Sequence, residues 1–431
     1  MPELDLDGQL GAERAELLAS IQAPELAELR SRATARRRRR HGLIAASAVV
    51  VSVLVAGTGI AMLQDGRTGT NREPIAGSPT HTTTLTPQPT WGALGITLLG
   101  LTDDVNDVPG NVSDIEFADA DHGFVLAADC AKGKTQPCAL TFASTVDSGR
   151  TFRTSPLPAS AARAPAGQLP HLVTLDSGGL VLVGASDWFS ADGGRSWSAR
   201  TPSATPVARV PDGGRLALRG APAGGGCTAH EVDAIGPDGT RAPLTNQPEL
   251  DVCWASEYPA PGGAWWVGGT TVDAGMPAPA AAVSRDGGHS WRKFVFPGGL
   301  GTWTKVSVLG REVYAVVVAG DPGPAPVAVR GLHRSTDGGA TFEHYGDVSL
   351  LPTMVGDLVP LLDGRLLAVA PGWRISAADG KNFRNVPPDL PWAGRVQRMQ
   401  GGWAVYDLFA SDLGWAAISP DGATWHKIHV R

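Results

Sequence analysis

Short apolar runs, each bounded by turn residues, dominate the chain after residue 64. Typical runs are Leu180 to Gly184, Val313 to Val318 and Leu366 to Ala370, which are rich in small or β-branched residues. Asp-Gly and Gly-Gly pairs separate such runs, as they do in hairpins. No stretch of this region has the apolar spacing of a long helix. The pattern therefore predicts an all-β domain, which follows one long apolar run at residues 43–63.

A turn signature, Ser/Thr-x-Asp-x-Gly-x-Ser/Thr-aromatic, recurs along this domain. Four copies fit it without a gap: Thr145 to Phe152, Ser190 to Trp197, Ser284 to Trp291 and Ser335 to Phe342. With three shorter or shifted copies, the repeated aspartates are Asp147, Asp192, Asp238, Asp286, Asp337, Asp379 and Asp421, at intervals of 42 to 51 residues. A repeat of this length with several short strands is typical of a propeller blade. The sequence predicts a seven-bladed β-propeller of four-stranded blades within residues 92–431.

The residue types of the signature suit a tight hairpin turn. Aspartate accepts hydrogen bonds from the backbone N–H groups that follow it, and glycine adopts the positive φ that tightens the turn. The hydroxyl satisfies a further turn amide, while the aromatic ring fills the space between neighbouring sheets. We therefore interpret all seven aspartates as structural and none as catalytic.

These segments resemble the Asp-box, or BNR, repeats of sialidase-like propellers, sortilin-type receptors and photosystem II assembly factors of the Ycf48 type. The resemblance covers residues 112–431 and implies a propeller, but such repeats occur in enzymes and in non-enzymes. A sialidase-type site needs several arginines, a tyrosine activated by a glutamate, and an acid aspartate. Here no arginine lies between Arg72 and Arg150, and Tyr345 near Glu343 is the closest approach to a nucleophile pair.

The missing parts favour a non-catalytic module that binds an envelope protein or a glycan. Two alternatives stay open: a sialidase-like glycoside hydrolase with Tyr345 as its candidate nucleophile, and a signalling or assembly factor whose N-terminal tail has a cytoplasmic partner. The sequence contains no P-loop, G-x-S-x-G or H-E-x-x-H motif. We therefore expect no cofactor.

The apolar run at residues 43–63 is 21 residues long, enough for a helix to cross a bilayer. Arg36 to Arg40 precede it directly, so the positive-inside rule places the N-terminus in the cytoplasm and the propeller outside. The alternative, a cleaved signal peptide, conflicts with the long basic region before the run. We predict a cytoplasmic tail at 1–41, a transmembrane helix at 42–63, a Thr/Pro-rich linker at 64–91, and the propeller at 92–431.

The four cysteines all follow the predicted membrane helix: Cys130, Cys138, Cys227 and Cys253. An even number in an oxidising compartment predicts disulfides. Of the three possible connectivities we favour pairing between sequence neighbours. Without a C-x-x-C spacing or a histidine cluster, the sequence predicts no metal site.

Charge excludes one class of partner. The chain has 36 basic residues (Lys and Arg) and 42 acidic residues (Asp and Glu). Of these, 8 basic and 7 acidic residues precede residue 42. The remainder therefore has 28 basic and 35 acidic residues, a net charge of −7. An acidic domain of this kind argues against nucleic-acid binding. The abundance of Arg, Ala, Gly and Pro is typical of a bacterial protein encoded by GC-rich DNA. The sequence therefore predicts a single-pass protein of the bacterial cell membrane.

Overall fold

The computed structural model describes residues 95–100, 108–130, 137–165, 169–219, 227, 231–322, 325–345, 348, 351–370, 372–386, 395–406 and 415–429. The strands β1 to β30 lie in these ranges, and no helix in them is long and apolar enough to span a membrane. The predicted cytoplasmic tail, the predicted transmembrane helix at 42–63 and the predicted linker lie outside the described residues.

The first four sheets follow one another along the chain, and we call each sheet a blade. Blade 1 consists of β2 (Asn111–Phe117), β3 (Gly123–Asp129), β4 (Cys138–Thr145) and β5 (Arg153–Ser155), with β6 (Arg163–Ala164) also paired to β4. Blade 2 consists of β7 (His171–Thr174), β8 (Leu180–Val183), β9 (Asp187–Ser190) and β10 (Ser198–Arg200). Blade 3 consists of β11 (Arg215–Leu218), β12 (Val232–Ile235) and β13 (Arg241–Pro243). Blade 4 consists of β14 (Asp251–Ala255), β15 (Trp265–Asp273), β16 (Met276–Ser284) and β17 (Arg292–Val295).

Three further sheets complete the molecule. Blade 5 consists of β18 (Thr302–Leu309), β19 (Glu312–Ala319), β20 (Val327–Ser335) and β21 (Glu343–His344), with β22 (Thr353–Met354) also paired to β20. Blade 6 consists of β23 (Val359–Pro360), β24 (Leu366–Ala370), β25 (Gly372–Ile375) and β26 (Arg384–Asn385). Blade 7 consists of β27 (Arg395–Met399), β28 (Gly402–Tyr406), β29 (Trp415–Ser419) and β30 (Thr424–His429), and β1 (Thr97–Gly100) pairs in parallel with β30.

The core is divided among the interfaces between successive blades. Each of seven hydrophobic clusters in the described residues joins one blade to the next. One of them joins Ile115 of blade 1 to Ile418 of blade 7 and so closes the ring. At another, the fully buried Trp425 of blade 7 packs edge-on against Trp373 of blade 6, with ring centroids 5.4 Å apart. Burying one such ring contributes about 4–6 kcal/mol of transfer free energy.

This arrangement confirms the predicted seven-bladed propeller of four-stranded blades, with one difference. Only three strands of blade 3 are described, and its turn around Asp238 connects the last two of them. In the other six blades the repeated turn connects the third and fourth strands. The copy of the repeat around Asp238 therefore marks a blade, although its signature is the shortest of the seven.

The antiparallel strands define two faces of the propeller. Connections from the first to the second strand and from the third to the fourth lie on one side, which we call the turn face. Connections from the second to the third strand, and from one blade to the next, lie on the opposite loop face. Because β1 is parallel to β30 and Thr97 N donates to the carbonyl of Ala423, the described chain begins on the turn face.

The repeated turns share one hydrogen-bond pattern. In the copy of blade 2, Ser190 Oγ donates to Asp192 Oδ1 (2.8 Å) and accepts from Gly194 N (2.7 Å). Asp192 also accepts from Arg195 N (3.1 Å), Ser196 N (2.9 Å) and Ser196 Oγ (2.7 Å). These bonds hold the pKa of Asp192 well below its usual range. An aspartate that accepts four hydrogen bonds from its own turn acts as a structural anchor.

Candidate functional site at the propeller axis

Inner strands bring charged side chains from several blades to the axis. We call this group the axial cluster; it consists of Asp114, Glu116, His171, Glu257, Tyr258, Lys305, Asp357, Arg395 and Arg398. Hydrogen bonds between blades that are not neighbours in the ring place it there. Tyr258 of blade 4 donates to Glu116 of blade 1, and Arg398 of blade 7 donates to the carbonyl of Val308 in blade 5.

Tyr258 closes the turn-face end of the axis. It lies in the connection between β14 and β15, and its hydroxyl donates to Glu116 Oε2 at 2.8 Å. The same hydroxyl lies 3.1 Å from Thr174 Oγ1, and the guanidinium of Arg215 covers the ring at 4.8 Å. Tyr258 is 4% exposed and Glu116 is 1% exposed. This end of the axis is therefore filled by protein.

The electrostatics of this pair do not suit a nucleophile. Burial raises the pKa of the Glu116 carboxyl well above its ordinary value, and the nearby carboxylates of Glu257 and Asp114 raise it further. Burial also raises the pKa of the Tyr258 hydroxyl well above its ordinary value. A nucleophilic phenol needs a lowered pKa or an adjacent base, and access to substrate. Glu116 is an adjacent base, but Tyr258 is only 4% exposed, so the geometry provides a Tyr–Glu pair without access to substrate.

The side chains of Glu257 and His171 meet on the loop-face side of Tyr258. His171 begins β7, and its Nε2 lies 3.9 Å from Glu257 Oε1. Both side chains are partly accessible, at 43% and 37%. Burial raises the pKa of Glu257, and the carboxylates of Asp114 and Asp357 add to that effect. Glu257 is therefore an acidic group that solvent and ligands can reach.

The opposite side of the axis is cationic. Lys305 Nζ donates to the carbonyl of Gly356 (2.8 Å) and to Asp357 Oδ1 (3.4 Å). Burial lowers the pKa of Lys305 and also that of Arg398, whose buried Nε has no hydrogen-bond partner among the described residues. This side therefore has three cations of the cluster, Lys305, Arg395 and Arg398, and one carboxylate, that of Asp357.

Arg395 is the least satisfied of these cations. It begins β27 at the loop-face end, and no hydrogen bond or ion pair joins its side chain to any other residue that the structure describes. Burial would lower its pKa, yet Tyr406 and the carboxylates of Asp357 and Asp114 together raise it. Arg395 thus remains a charged donor that faces the axis. The cluster as a whole is acidic on blades 1 and 4 and cationic on blades 5 and 7.

The predicted aspartates occupy a different place. All seven lie in turns on the turn face. In the four full copies the aspartate accepts hydrogen bonds from the hydroxyl and the amide of the residue four positions on: Asp147, Asp192, Asp286 and Asp337. In the shifted copies it accepts from amides two or three positions on: Asp238, Asp379 and Asp421. None of the seven belongs to the axial cluster.

Tyr345 lies in the core between blades 5 and 6. It is 6% exposed, packs against Tyr314 with ring centroids 5.9 Å apart, and its hydroxyl accepts from Arg334 Nη1 at 3.3 Å. Burial raises its pKa. Glu343 is exposed, and no hydrogen bond joins it to Tyr345 in the described structure. The pair expected from their spacing is therefore not assembled.

Both disulfides lie between sequence neighbours. Cys130 is bonded to Cys138 with Cα atoms 4.1 Å apart, across the connection from β3 to β4. Cys227 is bonded to Cys253 at 4.9 Å, which ties blade 3 to β14 of blade 4. Among the described residues no group of three His, Cys, Asp or Glu side chains could hold a metal ion.

A separate cavity of about 70 Å³ lies between blades 7 and 1 on the turn face. Its walls include the apolar side chains of Phe117, Met399 and Ile418, and Asp119 and His426 also line it. It differs in character from the charged axis, because few polar groups converge on it.

The axial pair escaped prediction because its members are far apart in sequence. Glu116 and Tyr258 are separated by 142 residues. One signal was present: Glu116 stands between the buried Ile115 and Phe117, and Lys305 lies in a strand whose neighbouring residues are all buried. A charge at such a position needs a partner or a water-filled channel.

The fold and its axial cluster define the class of protein, a seven-bladed β-propeller. No protein-family model matches the chain, and no curated protein matches it either. Solved structures similar to it include YCF48 bound to D1 peptide (12% identity, 72% of this chain and 91% of that one, TM-score 0.38). YCF48 from Cyanidioschyzon merolae has 12% identity over 72% and 93% of the two chains, with a TM-score of 0.39. A GH74 xyloglucanase from Xanthomonas campestris has 16% identity over 77% and 62%, with a TM-score of 0.36. Function must be argued from the residues of this chain itself.

Proposed function

We propose that this chain is a membrane-anchored, extracytoplasmic propeller that binds a partner of the bacterial cell envelope, a protein or a glycan, without catalysing a reaction. The observation that carries the proposal is the pair of partly accessible charges on the loop-face side of the axis, Glu257 and Arg395. Among the described residues neither side chain makes a hydrogen bond, and the one ion pair, from Glu257 to His171, is long at 3.9 Å. Charges held this weakly are costly for stability alone, and a ligand that pairs with them would account for their presence.

The membrane anchor rests on the sequence. The apolar run at 43–63, preceded by five arginines, supports the membrane anchor with a cytoplasmic N-terminus. A cytoplasm-specific reporter fused after Arg431 should be silent; an active reporter would reject the topology.

Binding is tested by crosslinking in intact cells followed by capture of the full-length protein. We expect wild type to retain an envelope component and the double variant Glu257→Gln/Arg395→Gln to lose it. The matched control is Glu343→Gln/Arg384→Gln, which removes one acid and one arginine from exposed outer strands. Equal capture by all three proteins would contradict an axial binding site.

A sialidase-like hydrolase is the second candidate, because the axis contains the buried pair of Tyr258 and Glu116. The raised pKa of both groups and their burial speak against it. The full-length protein should give no turnover of fluorogenic sialosides. Turnover that is abolished by Tyr258→Phe or by Tyr345→Phe would establish the enzyme instead.

A further inference from the structure

The ligand of the axial cluster can be specified further, on the basis of the proposed function. Glu257 lies beside His171, which begins β7, and Arg395 begins β27, so both side chains belong to the loop-face end of the inner strands. Each charge shifts the pKa of the other, yet no nitrogen–oxygen contact within 4.0 Å joins them in the described structure. The only ion pair of Glu257 among described residues is the long one to His171, at 3.9 Å. A carboxylate and a guanidinium therefore share this end of the axis without a direct contact.

The charged neighbours of Glu257 and Arg395 have partners of their own. On the side of Glu257, Asp114 accepts hydrogen bonds from Leu172 N (2.6 Å) and Gln397 Nε2 (3.2 Å), so this carboxylate is already satisfied. On the side of Arg395, Lys305 is satisfied by Asp357 and by the carbonyl beside it. Among the described residues, Glu257 and Arg395 are thus two charged groups of the cluster whose side chains make no hydrogen bond.

The required ligand has two charges. Glu257 accepts hydrogen bonds and is best matched by an ammonium, whereas Arg395 donates and is best matched by a carboxylate in a two-pronged contact. A neutral sugar would remove water from both charges without supplying a counter-charge, which is unfavourable. A simple anion or cation would satisfy only one of them.

We propose that the axial cluster binds a zwitterionic α-amino-acid group, with its ammonium at Glu257 and its carboxylate at Arg395. Free amino acids carry this group, and so does the unlinked end of a diamino-acid residue in a cell-wall peptide. His171 lies beside the ammonium contact, with its Nε2 3.9 Å from Glu257 Oε1. Binding requires no covalent step.

Titration calorimetry on the full-length protein in detergent tests the ligand class. The probes are diaminopimelic acid, its N-acetylated form and its amidated form, followed by free alanine and a cell-wall tripeptide that ends in diaminopimelic acid. We expect blocking of either the amines or the carboxylates to weaken binding at least tenfold, since each contact is a charge-assisted hydrogen bond. Tripeptide binding without alanine binding would identify the cell wall as the source, and the reverse would identify free amino acids.

Two variants should give a crossed pattern. Glu257→Gln should abolish the preference for the free over the N-acetylated probe and keep the preference over the amidated one. Arg395→Gln should do the opposite, while Glu343→Gln should behave as wild type. A purely structural role for these residues would weaken all probes alike. The comparison of capped and free probes on wild type needs no variant and stands even if one variant does not fold.

The outcome that overturns the inference is equal affinity of wild type for free and capped probes, or no heat with any of them. The proposed function has its own test in the envelope capture described above. If capture depends on Glu257 and Arg395 but zwitterions do not bind, the ligand class is wrong and the binding function stands. If capture does not depend on them and zwitterions bind, the inference stands without the envelope partner.

Discussion

Replacing Tyr258 with Phe tests the closed end of the axis. The change removes one hydroxyl and keeps the ring under the guanidinium of Arg215, which lies 4.8 Å away. The hydroxyl donates to Glu116 at 2.8 Å and lies 3.1 Å from Thr174 Oγ1, so its loss leaves a buried carboxyl without its donor. Leaving a buried polar group unsatisfied costs about 1–3 kcal/mol. We expect the free energy of unfolding to fall by that amount.

The loss should depend on pH. The hydrogen bond from Tyr258 favours the ionised form of Glu116 and lowers a pKa that burial raises. Without it the ionised carboxylate is less stable in the folded protein, so the cost of Tyr258→Phe should be larger at pH 8 than at pH 5. Denaturant unfolding of the full-length protein, followed by tryptophan fluorescence at both pH values, measures the difference.

A matched control is available in Tyr345→Phe. The hydroxyl of Tyr345 accepts a single long bond of 3.3 Å from Arg334, which already donates to Glu312 at 2.5 Å. This substitution should cost less than about 1 kcal/mol at either pH. The reasoning is refuted if Tyr258→Phe is as stable as wild type at both pH values, or if the two substitutions cost the same.

Three further predictions follow from charge and crosslinking. Glu116→Gln should be at least as stable as wild type at neutral pH and equal to it near pH 4. Because the pKa of Glu116 is raised, the folded state holds the proton more tightly than the unfolded state. Wild-type stability therefore falls as pH rises from the unfolded to the folded pKa, by about 1.4 kcal/mol for each pH unit between them. A difference in melting temperature between wild type and Glu116→Gln that does not change with pH would contradict this. Asp286, with its pKa lowered to about 2, contributes stability above the unfolded value that is lost as pH falls towards 2; the melting temperature of Asp286→Ala should therefore lie below wild type at pH 7 and converge with it in acid. Removing the bond between Cys227 and Cys253, which are 26 residues apart, by Ser substitution should lower the free energy of unfolding by about 3 kcal/mol in denaturant titrations, and an unchanged midpoint would be the contrary result.

The turns could be predicted because each is made of residues close in sequence. In the copy around Asp286, every partner lies within four residues: Ser284 donates to it, and the amide and hydroxyl of Ser290 donate as well. Such local bonds leave a fixed spacing in the sequence, and the spacing counts the blades. Even at Asp238, where the donating amide and hydroxyl belong to Thr240 only two residues on, aspartate and glycine remain at the expected interval.

The axial cluster could not be predicted in the same way, since its contacts join residues from separate blades. Lys305 donates to Asp357, 52 residues further on, and Gln397 donates to Asp114, 283 residues before it. No spacing rule links such residues, because the ring, not the chain, makes them neighbours. Tyr345 was chosen for its proximity in sequence to Glu343, whereas the pair that the fold assembles is Tyr258 with Glu116.

The turns and the axis of the propeller therefore differ in how much their residues vary from blade to blade. On the turn face, an aspartate accepts hydrogen bonds from its own turn in every blade, and four blades share the same set of bonds, so these residues specify the fold. At the axis, equivalent inner strands present Asp114 in blade 1, His171 in blade 2, Lys305 in blade 5 and Arg395 in blade 7. The inner strands of the blades therefore differ in sequence where the turns are similar, and their variable residues lie around one axial opening. A ligand of this chain should therefore be sought at residues that depart from the repeat, above all at Glu257 and Arg395, whose side chains make no hydrogen bond to other described residues.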